Sequence, residues 1–477
     1  MSYWKMVCLG CALFAAMAIA ASAQTFTTLV SFNIVDGAFP SASLVQGRDG
    51  NLYGTTSGGG ITSCLPPQGC GTVFKLTPTG TLTTLHKFCP QTNCTDGNDP
   101  GALVLGADGN FYGVAGGGGA NSGGTVFKIT PRGTLTTLYS FCAQANCADG
   151  SGPRSLILAT DGNFYGTARF GGANTSCFVC GTIFKITPGG QFTALHSFDG
   201  SDGYGPSSLI QGSDGNFYGT TYSIPSAEFC ESTGCGTIFK ITPAGTLTTL
   251  HVFSSTDGAN PYGPLVESTK GNFSGTTVYG GTVLDVCDVG CGTIFKITAS
   301  GKLTTLQYLN WSDGAQPFAG LVLGTDGNYY GTTEGGGGTG SIYEVGSGRG
   351  AVDLPFDGND LFPYAGLLQA TNGTFYGSTS GDGVTSNGAI FSEDTGLGPF
   401  VAFVQPTGKF GKTAQILGQG LAGTTSVTFN GVAATKFSVV SDTYMTAVVP
   451  AGATTGAVVV ATPAGNLTSN VSFRISK

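Results

Sequence analysis

Short runs that alternate hydrophobic and polar residues, separated by glycine-rich turns, continue along the chain as far as about Leu397. Their period of two is that of β-strands, whose side chains point alternately to the two faces of a sheet. In one segment, Asp108-Gly109 and Pro131-Arg132-Gly133 form the turns between such runs. The runs are residues 103–106, 110–114, 124–130 and 134–141. They predict a unit of four antiparallel strands.

The same unit recurs along the chain at a nearly constant interval. A Gly-Asn-x-aromatic-Gly-Thr motif occurs seven times, with steps of 59, 53, 53, 56, 56 and 46 residues. Strand-built repeats of this length are typical of radially arranged or stacked sheets. Four strands in each of seven units predict a seven-bladed β-propeller. The aromatic position of the motif holds Tyr53, Tyr112, Tyr165, Tyr218, Ser274, Tyr330 and Tyr376.

Segments of the fourth-strand type are offset along the sequence relative to the other three types. A segment of this type at residues 25–32 precedes the first complete unit, whereas none follows Phe391 in the seventh. We therefore expect the N-terminal strand to complete the last sheet, which would close the ring without an exposed edge. A solenoid, the alternative arrangement, would not need this exchange.

The periodicity ends near Leu397, and the rest of the chain carries shorter segments at even spacing. Asn430-Gly431 predicts a hairpin between two of them. Such a pattern over about 80 residues is typical of an immunoglobulin-like β-sandwich. The predicted strands are residues 413–417, 426–429, 437–440, 445–449, 457–461 and 471–475. The expected fold is all-β, with the propeller at residues 24–397 and the sandwich at 398–477.

The first 23 residues have the composition of an export signal. Lys5 supplies a positive start, residues 9–21 are apolar, and residues 21–23 form a small-residue cleavage site. The apolar run is too short to span a membrane. A lipoprotein attached through Cys11 is a weaker alternative, because the apolar run follows this cysteine. We predict an exported, secreted or envelope-located protein whose mature chain has no membrane span.

The twelve cysteines beyond this segment occur as six close pairs. An even number of cysteines in an exported chain predicts disulfides. Each would close a short loop and contribute at most about 2 kcal/mol. Zinc binding by two converging pairs, or a redox role for one pair of thioredoxin-like spacing, are the weaker alternatives. The pairs are Cys64/Cys70, Cys89/Cys94, Cys142/Cys147, Cys177/Cys180, Cys230/Cys235 and Cys287/Cys291.

Charge excludes some classes of partner. Only 10% of the residues are charged and the net charge is −8, with no basic stripe. This argues against binding to nucleic acids or anionic membrane surfaces.

His86, His196 and His251 share one position of the repeat and are predicted to be structural. No cofactor site is predicted, and the mature chain is expected to be a monomer. Five lysines of another shared position are expected between sheets or facing solvent: Lys75, Lys128, Lys185, Lys240 and Lys296.

The recurrent Asp-Gly pairs fall into two groups. Those of the tight turns are explained by turn chemistry; they are Asp49, Asp108, Asp161, Asp214 and Asp326. Those of the connectors between units are better candidates for calcium, but one carboxylate per unit rarely supplies the six to eight oxygens needed. The connector residues are Asp36, Asp149, Asp202, Asp257 and Asp313.

Successive turns of a meander alternate between its two ends, so the long glycine-rich loops and connectors share one end. Variable loops on a rigid scaffold are common binding surfaces. Hydrolysis of glycans would need two facing carboxylates on this end; otherwise its acids are solvated loop residues. The candidates are Glu228, Glu231, Asp285, Asp288, Glu334 and Asp382.

Two resemblances add to this interpretation. Residues 215–253 (GNFYGTTYSIPSAEFCESTGCGTIFKITPAGTLTTLHVF) resemble the GloVer tandem repeat of exported bacterial "choice-of-anchor" proteins. This resemblance covers residues 25 to about 397 and implies a bacterial surface or secreted protein without an assigned reaction. The tail, with SVTFNGVAATKF at 426–437 and VVPAGATTGAVVVATPAG at 448–465, resembles an IPT/TIG domain, an immunoglobulin-like module of surface receptors and some carbohydrate-active enzymes.

The sequence therefore favours a secreted or cell-surface bacterial binding or adhesion protein. Its loop end would contact a polysaccharide or another surface partner. The first alternative is a carbohydrate-active hydrolase or lyase that uses the loop acids. The second alternative is a structural component of the envelope.

Overall fold

A computed structural model describes residues 25–91, 93–174, 177, 179–222, 235–269, 271–282, 287–312, 314–335, 340–346, 352–355, 360–382 and 386–476. The predicted export signal lies outside these residues. Apart from one 3-10 turn at Ala145–Cys147, the regular structure described is β-strand. None of these residues forms an apolar helix of membrane-spanning length.

Each repeat forms one four-stranded antiparallel sheet, as the sequence predicts. Sheet 1 contains Val45–Gln46, Leu52–Thr56, Thr72–Leu76 and Leu82–Lys87; sheet 2 contains Asn98–Leu105, Phe111–Gly117, Thr125–Ile129 and Leu135–Ser140. Sheet 3 contains Ser151–Leu158, Phe164–Phe170, Thr182–Ile186 and Phe192–Ser197; sheet 4 contains Pro206–Gln211, Phe217–Thr221, Thr237–Ile241 and Leu247–Val252. Sheet 5 contains Val266–Thr269, Asn272–Thr277, Thr293–Thr298 and Leu303–Tyr308; sheet 6 contains Val322–Leu323, Tyr329–Thr333, Ser341–Val345 and Val352–Pro355.

Sheet 7 combines the two ends of the repeat region. Its strands Leu368–Gln369, Phe375–Thr379 and Ala389–Asp394 come from the last repeat, and Thr25–Ser31 is its outer strand. Thr25–Ser31 runs antiparallel to Ala389–Asp394. One hydrophobic cluster contains residues of sheets 1 and 7, among them Leu52, Phe74, Tyr376 and Ile390. The first and last repeats therefore pack against each other.

The turn aspartate explains why the repeat reads Asp-Gly-Asn-x-Tyr. In sheet 3 the carboxylate of Asp161 accepts hydrogen bonds from the backbone N–H of Asn163 at 3.0 Å and from the Tyr165 hydroxyl at 3.0 Å. Lys185 of the third strand lies 2.9 Å from the same carboxylate. Partial burial acts to raise the pKa of Asp161, but hydrogen bonds from Asn163 and Lys185 outweigh it and lower the pKa. The turn thus ties three strands together.

Three of the five lysines pair with the aspartate of their tight turn while remaining part-exposed, which agrees with the expectation that they face solvent. Lys240 lies 2.9 Å from Asp214, and Lys128 lies 3.7 Å from Asp108, each within its own sheet. Antiparallel pairing sets the lysine opposite the motif tyrosine, close to the turn. The lysine therefore belongs to the turn arrangement.

The motif tyrosine also joins neighbouring sheets. Tyr165 stacks on Phe217 of the next sheet, with ring centroids 4.1 Å apart. Four further pairs repeat the contact at 4.0–4.4 Å: Tyr53–Phe111, Tyr112–Phe164, Tyr218–Phe273 and Tyr330–Phe375. Ser274 replaces the tyrosine in sheet 5, and there its hydroxyl donates to the hydroxyl of Tyr329 in sheet 6 at 2.9 Å. At this junction the tyrosine is therefore Tyr329 of the next repeat, because the motif position holds a serine.

The glycine after this tyrosine makes room for an aromatic ring within the sheet. A Cβ atom on Gly166 would lie 2.5 Å from Cζ of Phe184, which faces it from the third strand. Phe184 is fully buried. The Tyr-Gly pair and the later Ile-Phe-Lys run are therefore parts of one packing arrangement.

The tail contains two four-stranded sheets around a shared core that includes Ile416, Val427, Met445 and Val460. The Asn430-Gly431 hairpin is confirmed, since Ser426–Phe429 pairs with Val432–Ala433. The first sheet contains Ala402–Phe403, Thr413–Leu417, Tyr444–Val448 and Phe437–Ser441, and the second Val432–Ala433, Ser426–Phe429, Val458–Thr462 and Gly465–Thr468. In the tail, Thr407–Gly408 also pairs with Arg474–Ile475.

In the repeat region, a further two-stranded pair joins Asp360–Leu361 to Gly381–Asp382.

The tail packs against the end of the repeat sheets that carries the tight turns. The Arg48 guanidinium donates to the Gln415 side chain at 2.6 Å and lies 4.7 Å from the ring of Tyr444. Further tail side chains donate to the carbonyls of three later turns: Gln415 to Ala107, Gln405 to Ala159 and Arg474 to Gly212. The tail therefore covers the tight-turn end over sheets 1 to 4.

Disulfide bonds join five of the predicted cysteine pairs. The sulfur atoms of Cys64, Cys70 and Cys89 lie within 4.8 Å of one another. Because all three are disulfide-bonded, they supply no thiolate for zinc. The five disulfides are Cys64–Cys70, Cys89–Cys94, Cys142–Cys147, Cys177–Cys180 and Cys287–Cys291.

The sixth predicted pair, Cys230/Cys235, is only half described. Cys235 is fully buried at the start of the segment that leads into the third strand of sheet 4, and its sulfur is disulfide-bonded. Its predicted partner, Cys230, lies outside the described residues. The structure therefore bears out a disulfide at Cys235, whereas its pairing with Cys230 stays a prediction.

Glu393 is an unusual core residue of sheet 7. It is 3% exposed and is paired with Phe26 and Phe375 on the flanking strands. The corresponding position of sheet 3 holds Ile186. Burial, with a smaller effect of the Asp394 charge, raises the pKa of Glu393 to about 7. Below about pH 7 the native protein therefore favours the protonated carboxyl.

We expect Gly166→Ala to destabilise the protein by about 1–3 kcal/mol, because the added methyl group overpacks against the Ser155 carbonyl and the Phe184 ring. Gly189→Ala is the matched control, since its Cβ would meet only Thr187 Oγ1 at 3.8 Å. Urea-unfolding midpoints measure the effect. Equal losses for the two variants would contradict the packing argument.

We expect Glu393→Gln to stabilise the protein at pH 8 but not at pH 4. The unfolded glutamate has a pKa of about 4.3, so between that pH and 7 the native state binds more protons. The contribution of Glu393 to stability therefore falls as pH rises through this window. One pKa unit corresponds to about 1.4 kcal/mol. Thermal melting at both pH values is the measurement.

The exposed loop variant Asp288→Asn serves as the control and should show no pH-dependent gain. A gain of the same size at pH 4 and pH 8 for Glu393→Gln would contradict the assignment of a protonated native carboxyl.

Candidate functional site

The connectors between sheets are held by their aspartates. The Asp257 carboxylate lies 3.0 Å from Nε2 of His251 and accepts the Ser254 N–H at 2.8 Å. Its backbone carbonyl accepts from the Thr293 hydroxyl at 3.3 Å. Equivalent carboxylate contacts are His86–Asp96, His196–Asp202 and Tyr139–Asp149, at 2.7–2.8 Å. The histidines therefore have the structural role that the sequence predicts.

The same contacts bear on the calcium candidates. The carboxylates of Asp149, Asp202 and Asp257 bind groups of their own connector and fourth strand. Asp36 similarly accepts the backbone N–H of Asn33 at 2.9 Å. Asp313 lies outside the described residues. The described connector carboxylates are thus engaged in structural hydrogen bonds.

In each connector, a residue in the left-handed backbone conformation precedes a proline and directs the chain into the first strand of the next sheet. Its φ is +53° at Asp99, +56° at Asn260, +58° at Gln316 and +65° at Phe362. Positive φ is uncommon outside glycine, so its recurrence marks a turn that the packing imposes. The residues just after the prolines then line a cavity. They are Ser41, Gly101, Arg154, Ser207, Tyr262, Phe318 and Tyr364.

The cavity has a volume of about 420 Å³ and is lined by the inner segments of all seven repeat sheets. Ligand pockets commonly measure about 300–1,000 Å³. The lining side chains differ from sheet to sheet although the backbone repeats. The site is consequently asymmetric, with an aromatic side and a polar side.

The aromatic side comes from the loop after the second strand of sheet 4 and from the connectors into sheets 5 to 7. Ring centroids are 5.8 Å apart for Tyr222 and Tyr262, 6.0 Å for Tyr262 and Phe318, and 5.0 Å for Phe318 and Tyr364. All four rings are partly exposed. The Tyr364 hydroxyl donates to Glu334, and burial together with this carboxylate raises the pKa of Tyr364. The phenol remains a protonated donor at neutral pH.

The polar side carries the charged residues of the cavity. Arg169 is half-buried and lies 5.6 Å from the Tyr222 ring. Burial and the charge of Arg154 lower the pKa of Arg169, although a guanidinium stays protonated. Asp99 is open to the cavity yet surrounded by protein, so desolvation raises its pKa, against the opposing charge of Arg154. The Ser207 hydroxyl is buried without a hydrogen-bond partner in the described part of the chain.

Among the predicted loop acids whose side chains are described, Glu334 lies at the edge of this cavity, where it binds Tyr364. Asp288 is exposed on the loop of the Cys287–Cys291 disulfide. Of Asp382 only the backbone is described, and it pairs with Asp360. Glu228, Glu231 and Asp285 lie outside the described residues.

Sequence reasoning missed the residues that form the cavity, including Asp99, Arg154 and Tyr262. A signal was present, because the residue after the connector proline is variable whereas its neighbours recur. This position is serine, glycine, arginine, tyrosine or phenylalanine in different repeats. Variation at one fixed place of a repeated frame marks a position that the fold does not constrain.

Solved structures with similar folds have very different sequences. The extracellular domain of a hybrid two-component system from B. thetaiotaomicron is 12% identical, with a TM-score of 0.50, over 94% of this chain and 57% of that one. A gluconolactonase from Xanthomonas campestris is 14% identical over 69% and 89% of the two chains, with a TM-score of 0.39. A puromycin-hydrolysing peptidase from Mycobacterium tuberculosis is 12% identical over 83% and 61%, with a TM-score of 0.46. At this identity the first bears on the fold alone, and the other two, with TM-scores below 0.5, support no conclusion.

No curated protein matches this sequence. The Gloeobacter/Verrucomicrobia repeat, in contrast, matches residues 15–148 and 142–341, which is more than half of the chain. The matched region includes the tyrosine motif, the connectors and most of the cavity lining described above. The GloVer resemblance is thereby confirmed, and the chain belongs to the Gloeobacter/Verrucomicrobia repeat family.

Proposed function

We propose that the protein is an exported bacterial binding protein that holds a carbohydrate in the cavity between the seven repeat sheets. The observation that carries this proposal is the aromatic side formed by Tyr222, Tyr262, Phe318 and Tyr364. Tyrosine presents a rigid apolar face together with a polar hydroxyl. Such a side chain suits a sugar ring, which has apolar C–H faces and a hydroxylated rim.

The proposal includes a ring of seven blades closed by the N-terminal strand. Hydrogen bonds support it, because a hydroxyl of one repeat reaches the inner segment of the next. Thr276 donates to the Ala319 carbonyl at 2.9 Å, and Ser378 of the last repeat donates to the Pro40 carbonyl of the first at 2.8 Å. Gln46 and Thr371 also bond across this junction at 3.0 Å. A closed ring would place the cavity on its axis.

Export is supported by the N-terminal sequence and by the disulfides. Residues 1–23 are proposed to be a cleaved signal peptide, and disulfide bonds of this number are typical of oxidising compartments. Residues 398–477 are proposed to be an IPT/TIG-type immunoglobulin-like domain. Because this tail covers the tight turns, the loop end would remain for ligand entry, and the tail would serve as a spacer or second binding module.

We expect the mature chain to bind members of a plant and bacterial oligosaccharide panel, with Tyr262→Ala and Phe318→Ala each weakening binding about tenfold or more. The reason is the loss of a stacking surface in a partly enclosed site. Isothermal titration calorimetry measures the affinity. Tyr308→Ala is the matched control, since this tyrosine is 47% exposed on an outer strand.

Equal effects of the cavity variants and the Tyr308 variant would contradict a role for the aromatic side. Release of new reducing ends during incubation would instead favour the hydrolase alternative. Absence of binding to every glycan of the panel would overturn the proposed function.

We expect deletion of residues 24–33 to disrupt folding of the whole repeat region. The deletion removes the strand Thr25–Ser31 from sheet 7 and Phe32 from the cluster shared with sheet 1. Circular dichroism melting of the truncated chain is the measurement, and a synthetic peptide of residues 24–33 should restore stability. A truncated chain that melts at the normal temperature would rule out closure by this strand.

A further inference from the structure

The net charge of the cavity lining is opposite in sign to the net charge of the whole chain. The chain has a net charge of −8. In contrast, the charged side chains among the described lining residues are Asp99, Arg154 and Arg169, a net +1. Glu334 lies behind the aromatic side with its carboxylate bound to the Tyr364 hydroxyl. A partner that enters the cavity therefore meets an excess of positive charge beside aromatic rings.

The two arginines of the cavity lack a carboxylate partner among the described residues. Neither Arg154 nor Arg169 makes an ion pair within 4.0 Å with an acid in the described parts of the chain. Both come from sheet 3, Arg154 from its first strand and Arg169 from its second. Two neighbouring cations in a partly enclosed site repel each other, and an anion placed between them relieves that repulsion.

Packing holds Arg169 in a defined position. Its guanidinium lies 5.4 Å from the Phe170 ring and 5.6 Å from the Tyr222 ring. A Cβ on Gly205 would lie 3.5 Å from Cγ of Arg169, so the neighbouring connector contacts the stem of the side chain. A planar guanidinium held in this way presents a fork that matches a carboxylate, and such charge-assisted pairs are among the stronger hydrogen bonds.

We propose that the ligand is an acidic saccharide whose ring stacks on the aromatic side and whose carboxylate is bound by Arg154 and Arg169. This inference rests on the proposed function and specifies the class of sugar. One carboxylate placed at the two arginines matches the net charge of +1, and Asp99 beside Arg154 disfavours a second anionic group at the same place. The Ser207 hydroxyl, buried in the cavity lining without a described partner, supplies a further donor or acceptor.

The test compares an oligogalacturonate with its methyl ester, which has the same rings but no negative charge. We expect the mature wild-type chain to bind the acid about tenfold or more tightly than the ester in titration calorimetry. Arg154→Gln and Arg169→Gln should abolish this preference, because each weakens binding of the acid more than binding of the ester. Asp99→Asn should strengthen binding of the acid.

Arg132→Gln is the control, because Arg132 is an exposed residue of a tight turn. Thermal melting of each variant separates loss of binding from loss of folding. Equal affinity for acid and ester, or an acid preference that survives both arginine variants, would overturn the inference. Tighter binding of a sulfated oligosaccharide than of the oligogalacturonate would also overturn it.

The two proposals fail in different ways. If neutral oligosaccharides bind and depend on Tyr262, but neither the oligogalacturonate nor a glucuronate-containing oligosaccharide is preferred, the acidic class is wrong and the proposed function stands. If no saccharide of either kind binds, both are wrong.

Discussion

The repeat region depends on a tyrosine that is fixed at both ends. Its hydroxyl donates to the turn aspartate of its own sheet, as Tyr165 does to Asp161, while its ring stacks on an aromatic residue of the next sheet, as on Phe217. A buried phenol needs a hydrogen-bond partner, and the turn supplies one at a place from which the ring also reaches the neighbouring sheet. The interaction couples the geometry of a turn to the angle between sheets. That coupling explains why the motif keeps its spacing while the loops change length.

The structural contacts of the repeat limit which residues can carry out chemistry. The recurrent aspartates, histidines and lysines are engaged in structural contacts, such as His251 with Asp257 and Lys240 with Asp214. Residues that recur in every unit are therefore poor candidates for a site. The functional candidates are the positions at which the units differ while their backbone stays the same. Arg154 and Tyr262, which occupy the same place in different repeats, are examples.

Much of the fold could be predicted from the sequence, because strands and tight turns are local features. The four-stranded unit and the hairpin at Asn430-Gly431 follow from alternation and turn chemistry over a few residues. Contacts between units could not be predicted in the same way. The replacement of the motif tyrosine by Ser274 is matched by Tyr329, a pairing visible only when neighbouring sheets are placed together. The ion pair of Lys185 with Asp161 could not be predicted for a similar reason, since it forms only through the pairing of two strands.

The cavity shows how a symmetric scaffold can hold an asymmetric ligand. The left-handed residue and the proline that follows it set the same backbone path in successive connectors, so the next side chain reaches the cavity wherever it occurs. At this place Gly101 and Ser41 leave space, Phe318 and Tyr364 supply apolar surface, and Arg154 supplies charge. The aromatic members also contact one another between neighbouring sheets, as Phe318 does Tyr364. The recurrent contacts between sheets are carried by the motif tyrosine, as by Tyr165 on Phe217. The repeated motif therefore holds the sheets together, while the residue after the connector proline sets the chemistry of the cavity.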